Sequence, residues 1–138
     1  MNSQLNIGRT NQLIVLTVSL AVVFVTTARA DIINIPGSAP TIQAGIDMAV
    51  NGDEVVVADG TYTGPGNRDL DFNGKSITVR SANGPANCII NCEGSQADPH
   101  RGFHMHSGET ADAVIQGFTI TNGFVTKDVI NRGGGILY

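Results

Sequence analysis

The sequence predicts an all-β chain wound as a parallel β-helix, with one short α-helix laid over its first turn. Three observations carry this expectation. Seventeen glycines in 138 residues are too many for a helical protein and suit a chain that turns often. Past Gly52, short apolar runs alternate with Gly- and Asn-rich turns, the pattern of short strands. Those runs also superpose when the sequence is slid along itself by 22 to 26 residues, the spacing of a solenoid with two or three strands per turn.

The first element is not part of the solenoid. Residues 1–12 are polar with one basic residue, Arg9; Leu13 to Val25 is apolar apart from Thr17 and Ser19; Ala28-Arg29-Ala30 then gives an A-x-A pattern. This is the layout of a secretory leader. Its apolar run of about 13 residues is short of the roughly 20 that cross a bilayer. Residues 1–30 are therefore read as a signal peptide, cleaved between Ala30 and Asp31, and residues 31–138 as the exported chain with no membrane span.

That mature chain carries six Lys+Arg against twelve Asp+Glu, a net charge of −6. An acidic protein without a basic cluster does not bind nucleic acid. Export places it where disulfides persist, yet it has only Cys88 and Cys92. Four residues apart on a strand they are about 13 Å from each other, beyond disulfide reach. They read as buried small hydrophobes or as partners of cysteines outside this chain.

Residues 31–39 open with a strand, Ile32-Ile33-Asn34-Ile35, closed by Pro36-Gly37. A helix over 41–50 follows. Thr41 caps it or Pro40 takes its first position. Ile42, Ile46, Ala49 and Val50 form one apolar stripe, and Gly52 stops it. Laid over the first turn, that stripe hides an open apolar end with unpaired strand edges.

The strands come next. "EVVVADG" (54–60) lies over "SITVRSA" (76–82) at an offset of 22, matching Val55 to Ile77 and Val57 to Val79. "RGFHMH" (101–106) extends the series at 26, with Phe103 on Ile77 and Met105 on Val79. "GGILY" (134–138) follows at 33, with Ile136 on Phe103 and Tyr138 on Met105. A second series sets "CIINCEG" (88–94) over "AVIQGFT" (113–119) at 25, matching Ile89 to Val114 and Ile90 to Ile115. Residues 123–133 read as a loop bulging from one turn. The chain stops where a strand has begun, after three or four turns, so it reads as the front of a longer protein whose far end is covered elsewhere.

"TIQAGIDMAVNGDEVVVADGTY", "GKSITVRSANG", "VIQGFTITNG" and the closing "GGGI" resemble the N-terminal portion of exported, pectin-lyase-like right-handed parallel β-helix proteins, over about residues 34–138. The resemblance implies a right-handed coil. It does not fix an activity, because that superfamily spans pectate lyases, pectin esterases, polygalacturonases and adhesins.

Each chemistry implies a residue set. Lyases of this fold hold Ca²⁺ with stacked acidic residues and use Lys or Arg as base. Asp69, Asp71, Glu93, Asp98, Glu109 and Asp112 are the acidic candidates and Lys75, Arg80 and Arg101 the bases; no carboxylate stack is visible among them. An esterase needs two carboxylates and an Arg on one face. Asp69 and Asp71 of "DLDF" point the same way if extended, without a third member. "GFHMHSG" sets Phe103 and Met105 on one face and His104 and His106 on the other; imidazoles at i, i+2 can share Zn²⁺, and His100 and Glu109 lie nearby in sequence. Three or four ligands are needed, so an exposed polar strand face is the plainer reading. No P-loop, G-x-S-x-G or C-x-x-C is present. Catalytic residues are thus unassigned, and no cofactor or metal is expected. The expectation is an exported structural or glycan-binding module. The alternative is the front of a polysaccharide-active enzyme, with active-site turns after residue 138 and, in that case alone, Ca²⁺.

Overall fold

The computed structural model describes residues 29–126 and 135–137. The expected leader through residue 28, most of the expected 123–133 loop, and Tyr138 lie outside the described residues. Within them the chain is rich in strands that pair in parallel, with little helix. The order is β1 (Ile32–Ile35), α1 (Ile42–Met48), β2 (Glu54–Val57), β3 (Gly60–Tyr62), β4 (Thr78–Ser81), β5 (Cys88–Asn91), β6 (Phe103–His104), β7 (Val114–Gln116), β8 (Thr119–Thr121) and β9 (Ile136–Leu137). No helix among the described residues is long and apolar enough to cross a membrane.

Three sheets form: β1-β2-β4-β7, β3-β5-β8 and β6-β9. A parallel bridge from Leu70 to Phe103 extends the third. From β2 onward the chain visits first, second and third sheet in rotation, so no strand pairs with its immediate successor. Parallel pairing demands such crossovers. Inward residues alternate with outward ones: in β2 and β4 every second side chain is buried. All three sheets feed one core, including Ile33, Val55 and Val79 from the first, Cys88 and Ile90 from the second, and Leu70, Phe72 and Phe103 from around the third.

The register differs from the sequence expectation. Val55 lies opposite Val79, and Val57 opposite Ser81, an offset of 24 rather than 22. The face is unchanged, since a slip of two residues preserves a period of two. Phe103 does not extend this series. It pairs with Leu70 and Ile136, so the expected match of Phe103 to Ile136 is present but in a separate sheet. Nor does 113–117 stack on 88–94. Ile115 lies opposite Val79, and Ile90 opposite Ile120.

The helix forms where expected and ends sooner. Thr41 Oγ1 accepts from Ala44 N–H (3.2 Å), Asn67 Oδ1 from Ile42 N–H (3.1 Å) and the Gly66 carbonyl from Gln43 N–H (2.8 Å). These satisfy donors that a helix start leaves free. Ile42 and Ile46 are fully buried. Gly45 lets the helix sit close: a Cβ there would lie 2.6 Å from Ile35 Cδ1 and 3.2 Å from Val55 Cγ1. Val50, expected on the buried stripe, is exposed. Ala49 is already extended (ψ 147°) and Val50 N–H is held by Asp53 Oδ2 at 2.8 Å. On the far side of β1, Ser38 occupies both backbone polar groups of Asn34, donating its N–H to the carbonyl (2.6 Å) and accepting the Asn34 N–H on Oγ (3.2 Å). A capped edge is a poor template for a further strand.

Candidate functional site

The residues that carry chemistry gather on the outward side of the third sheet. Leu70 N–H donates to the Gly102 carbonyl (2.9 Å) and His104 N–H to the Leu70 carbonyl (2.8 Å). This pairing turns Leu70, Phe72, Phe103 and Met105 inward, all buried. Asp71, His104 and His106 fall outside, half-buried or exposed.

His104 and His106 do share a face, and their rings stack, with centroids 4.1 Å apart and planes 6° from parallel. His106 Nδ1 is 3.3 Å from Asp71 Oδ2. The same oxygen accepts from Ser107 Oγ (2.8 Å), and Asp71 Oδ1 accepts from Asn73 N–H (3.0 Å). Burial pushes the Asp71 carboxyl up, but the hydrogen bonds from Asn73 and Ser107 and the charge of His106 outweigh it, so it sits below the usual range. His104 is shifted down by burial, then by His106 and Arg101, which favours its neutral form. Beside the pair an open cleft of about 280 Å³ is lined by Met105, His106, Gly108, Glu109, Thr110 and Ala113.

A second group adjoins it. Asp69 is paired with His100 through Nδ1, and Asp98 Oδ2 lies 3.2 Å from His100 Nε2. Asp69 Oδ1 also accepts from Arg101 N–H (2.9 Å). Asp69 and Asp71 thus hold separate histidines rather than acting as one carboxylate pair.

The remaining candidates are engaged in structure. Glu93 Oε2 accepts from Gly64 N–H (3.0 Å) and Arg68 Nη1 (3.1 Å). Glu109 accepts from the N–H groups of Gly74 (2.9 Å) and Ser107 (3.0 Å). Lys75 Nζ donates to the carbonyls of Ile46 (2.8 Å) and Asp47 (3.0 Å) at the end of α1, where a helix favours a cation. Arg80 is paired with Glu54, and Asp112 sits in an exposed turn. Among the described residues no three His, Cys, Asp or Glu side chains are arranged to hold a metal ion. The Ser107 hydroxyl is given to a carboxylate rather than to an imidazole, so it is not set up as a nucleophile.

Cys88 and Cys92 are free and fully buried. Burial, with Asp59 nearby, pushes the Cys88 thiol up to about 11. Burial and Asp69 do the same for Cys92 against the opposing Arg68, also to about 11. The thiolate is the reactive form. A thiol-specific disulfide reagent at pH 7 is therefore expected to leave both untouched in the folded protein and to titrate both after unfolding in urea. Rapid reaction of either one in the native state would contradict this.

Sequence reasoning found the histidine face but not its partners Asp71 and Ser107. The signal was available. The offset of 33 that sets Ile136 on Phe103, carried back once, sets Phe103 on Leu70, Met105 on Phe72 and His104 on Asp71. No protein family, curated protein or solved structure matches the chain. A reading of its function rests on the geometry of this face.

Proposed function

We propose that the three parallel strand sets are the faces of a right-handed parallel β-helix, and that the protein is an exported structural module binding glycan on the His104–His106 face. The rotation of the chain through three sheets supports the fold, with α1 covering the first turn. The stacked imidazole pair carries the functional reading. It offers a planar surface beside an open cleft, with Asp71 and Ser107 at its edge to meet hydroxyl groups. The carboxylates of Asp69, Asp71, Asp98 and Glu109 around it favour neutral, hydroxyl-rich sugars over polyuronates, because like charges repel.

Binding of neutral β-glucan, mannan and galactan oligosaccharides by calorimetry tests this. His104→Ala and His106→Ala are expected to weaken whichever binds by about tenfold or more, or about 1.4 kcal/mol. The thermal midpoint should stay within a few degrees, since both side chains face outward. Equal affinities for wild type and both variants, or no binding to any of the three, would exclude the reading. Steady release of new reducing ends from the bound glycan would favour the enzyme alternative.

A further inference from the structure

The chain's expected cleavage point lies against a carboxylate that no cation meets among the described residues. Asp31 N–H donates to Asp53 Oδ1 at 2.9 Å, and Val50 N–H donates to Asp53 Oδ2 at 2.8 Å. The Asp53 residue is 6% exposed. Its carboxyl is held below the usual range by those bonds from Val50 and Asp31, against the opposing effect of burial. Asp53 also joins three elements through its neighbourhood. Glu54 N–H donates to the Asp31 carbonyl (2.9 Å) and Thr78 N–H to the Asp53 carbonyl (3.1 Å). Arg29 and Ala30, by contrast, are exposed, so the Ala30–Asp31 peptide is open to a protease.

We propose that removal of the leader at Ala30–Asp31 builds an ion pair between the new α-ammonium of Asp31 and the Asp53 carboxylate, locking β1 onto the turn before β2. The proposal rests on the exported reading. In the cleavage, water adds across the amide under a leader-cleaving protease. The Ala30 carbonyl carbon gains the hydroxyl and ends as a carboxylate; the Asp31 nitrogen takes up the released protons and ends as an ammonium. The nitrogen already stands at hydrogen-bond distance from Asp53 Oδ1, so the neutral bond becomes a charge-assisted one without movement of the chain. The other charged groups at this corner are the Asp31 carboxylate, which adds to the attraction, and Glu54, which Arg80 neutralises. Cleavage thereby strengthens a contact that the precursor already makes.

The paired amine should resist deprotonation. Each unit by which its pKa rises lowers the free amine, the form that reacts, tenfold. The exported protein is N-terminally sequenced and then reductively methylated at pH 7, with the N-terminal peptide followed by mass spectrometry. A start at Asp31 is expected, with methylation about tenfold slower than in Asp53→Asn, which keeps an oxygen for Val50 N–H. Because Asp53→Asn risks misfolding, a second variant inserts one Ala between Ala30 and Asp31. It retains Asp53 and moves the amine off it, and fast methylation is expected there too. A different N-terminus would overturn both the lock and the assumed cleavage site. A start at Asp31 with equal rates in wild type and either folded variant would overturn the lock alone.

Discussion

Ile46→Asp is expected to lower the stability of the protein by about 3 kcal/mol or more, because it places a carboxylate where no water reaches. Ile46 is fully buried and belongs to the same cluster as Ile35, Val55 and Ile42. The helix cannot retreat to admit a charge without losing the close fit of Gly45 over Ile35 and Val55. Nor is a cation at hand: Lys75 is held at the exposed end of α1 by the Ile46 and Asp47 carbonyls. Val50→Asp, one turn later, is the matched control. Val50 is 65% exposed, and a surface substitution of this kind stays within about 0.5 kcal/mol. Urea unfolding of the two variants beside wild type measures both. Coincident midpoints for Ile46→Asp and Val50→Asp would show that α1 does not cover the core.

The contrast between these two positions also shows where sequence patterning reaches its limit. Ile42, Ile46, Ala49 and Val50 satisfy helical periodicity equally well. What removes Val50 from the stripe is a local side-chain contact in the turn, the Asp53 carboxylate three residues on taking its N–H, and periodicity carries no trace of that. The strand register fails in a similar way. A shift from 22 to 24 residues leaves every inward side chain inward, so the apolar pattern alone does not separate the two. Polar contacts mark the observed register: Glu54 lies opposite Thr78, and its carboxylate meets Arg80 diagonally across the strands. The pattern around Phe103 fits the first sheet as well as the third, because all three sheets bury the same kinds of residue. Leu70, its true neighbour, sits in a single bridge beside a left-handed Asp69 (φ 52°), which does not read as a strand. The face bearing His104 and His106 was legible because strict alternation survives even in a two-residue strand. Asp71 and Ser107 come to it from 33 residues upstream and from the following loop, and only the correct offset connects them.

The largest single loss is expected from Phe103→Ala, about 3–5 kcal/mol for a fully buried phenylalanine, against a total of about 5–15 kcal/mol for a domain. The Phe103 ring packs edge-on against Phe72, with centroids 6.2 Å apart at 78°, and against Phe118 at 5.9 Å and 52°. Aromatic pairs in this range add about 0.5–1.5 kcal/mol each beyond their buried area. The upper end of the expected range follows from how little the site can collapse. Its backbone is pinned on one side by Leu70 and on the other by Ile136. At the preceding residue, Gly102, a Cβ would meet the Gly135 carbonyl oxygen at 2.9 Å and Ile120 Cγ2 at 2.9 Å. Neighbours fixed in this way leave the cavity open, and an open cavity carries the full cost of the lost contacts. Phe103→Leu refills most of the volume and should recover more than half of the loss. Urea midpoints for the two variants, with unchanged slopes, decide the matter. If Phe103→Ala costs less than about 1.5 kcal/mol, the range of a volume-conserving swap, the third sheet is not anchored through this ring, and the histidine face it supports is held by Asp71 and Ser107 instead.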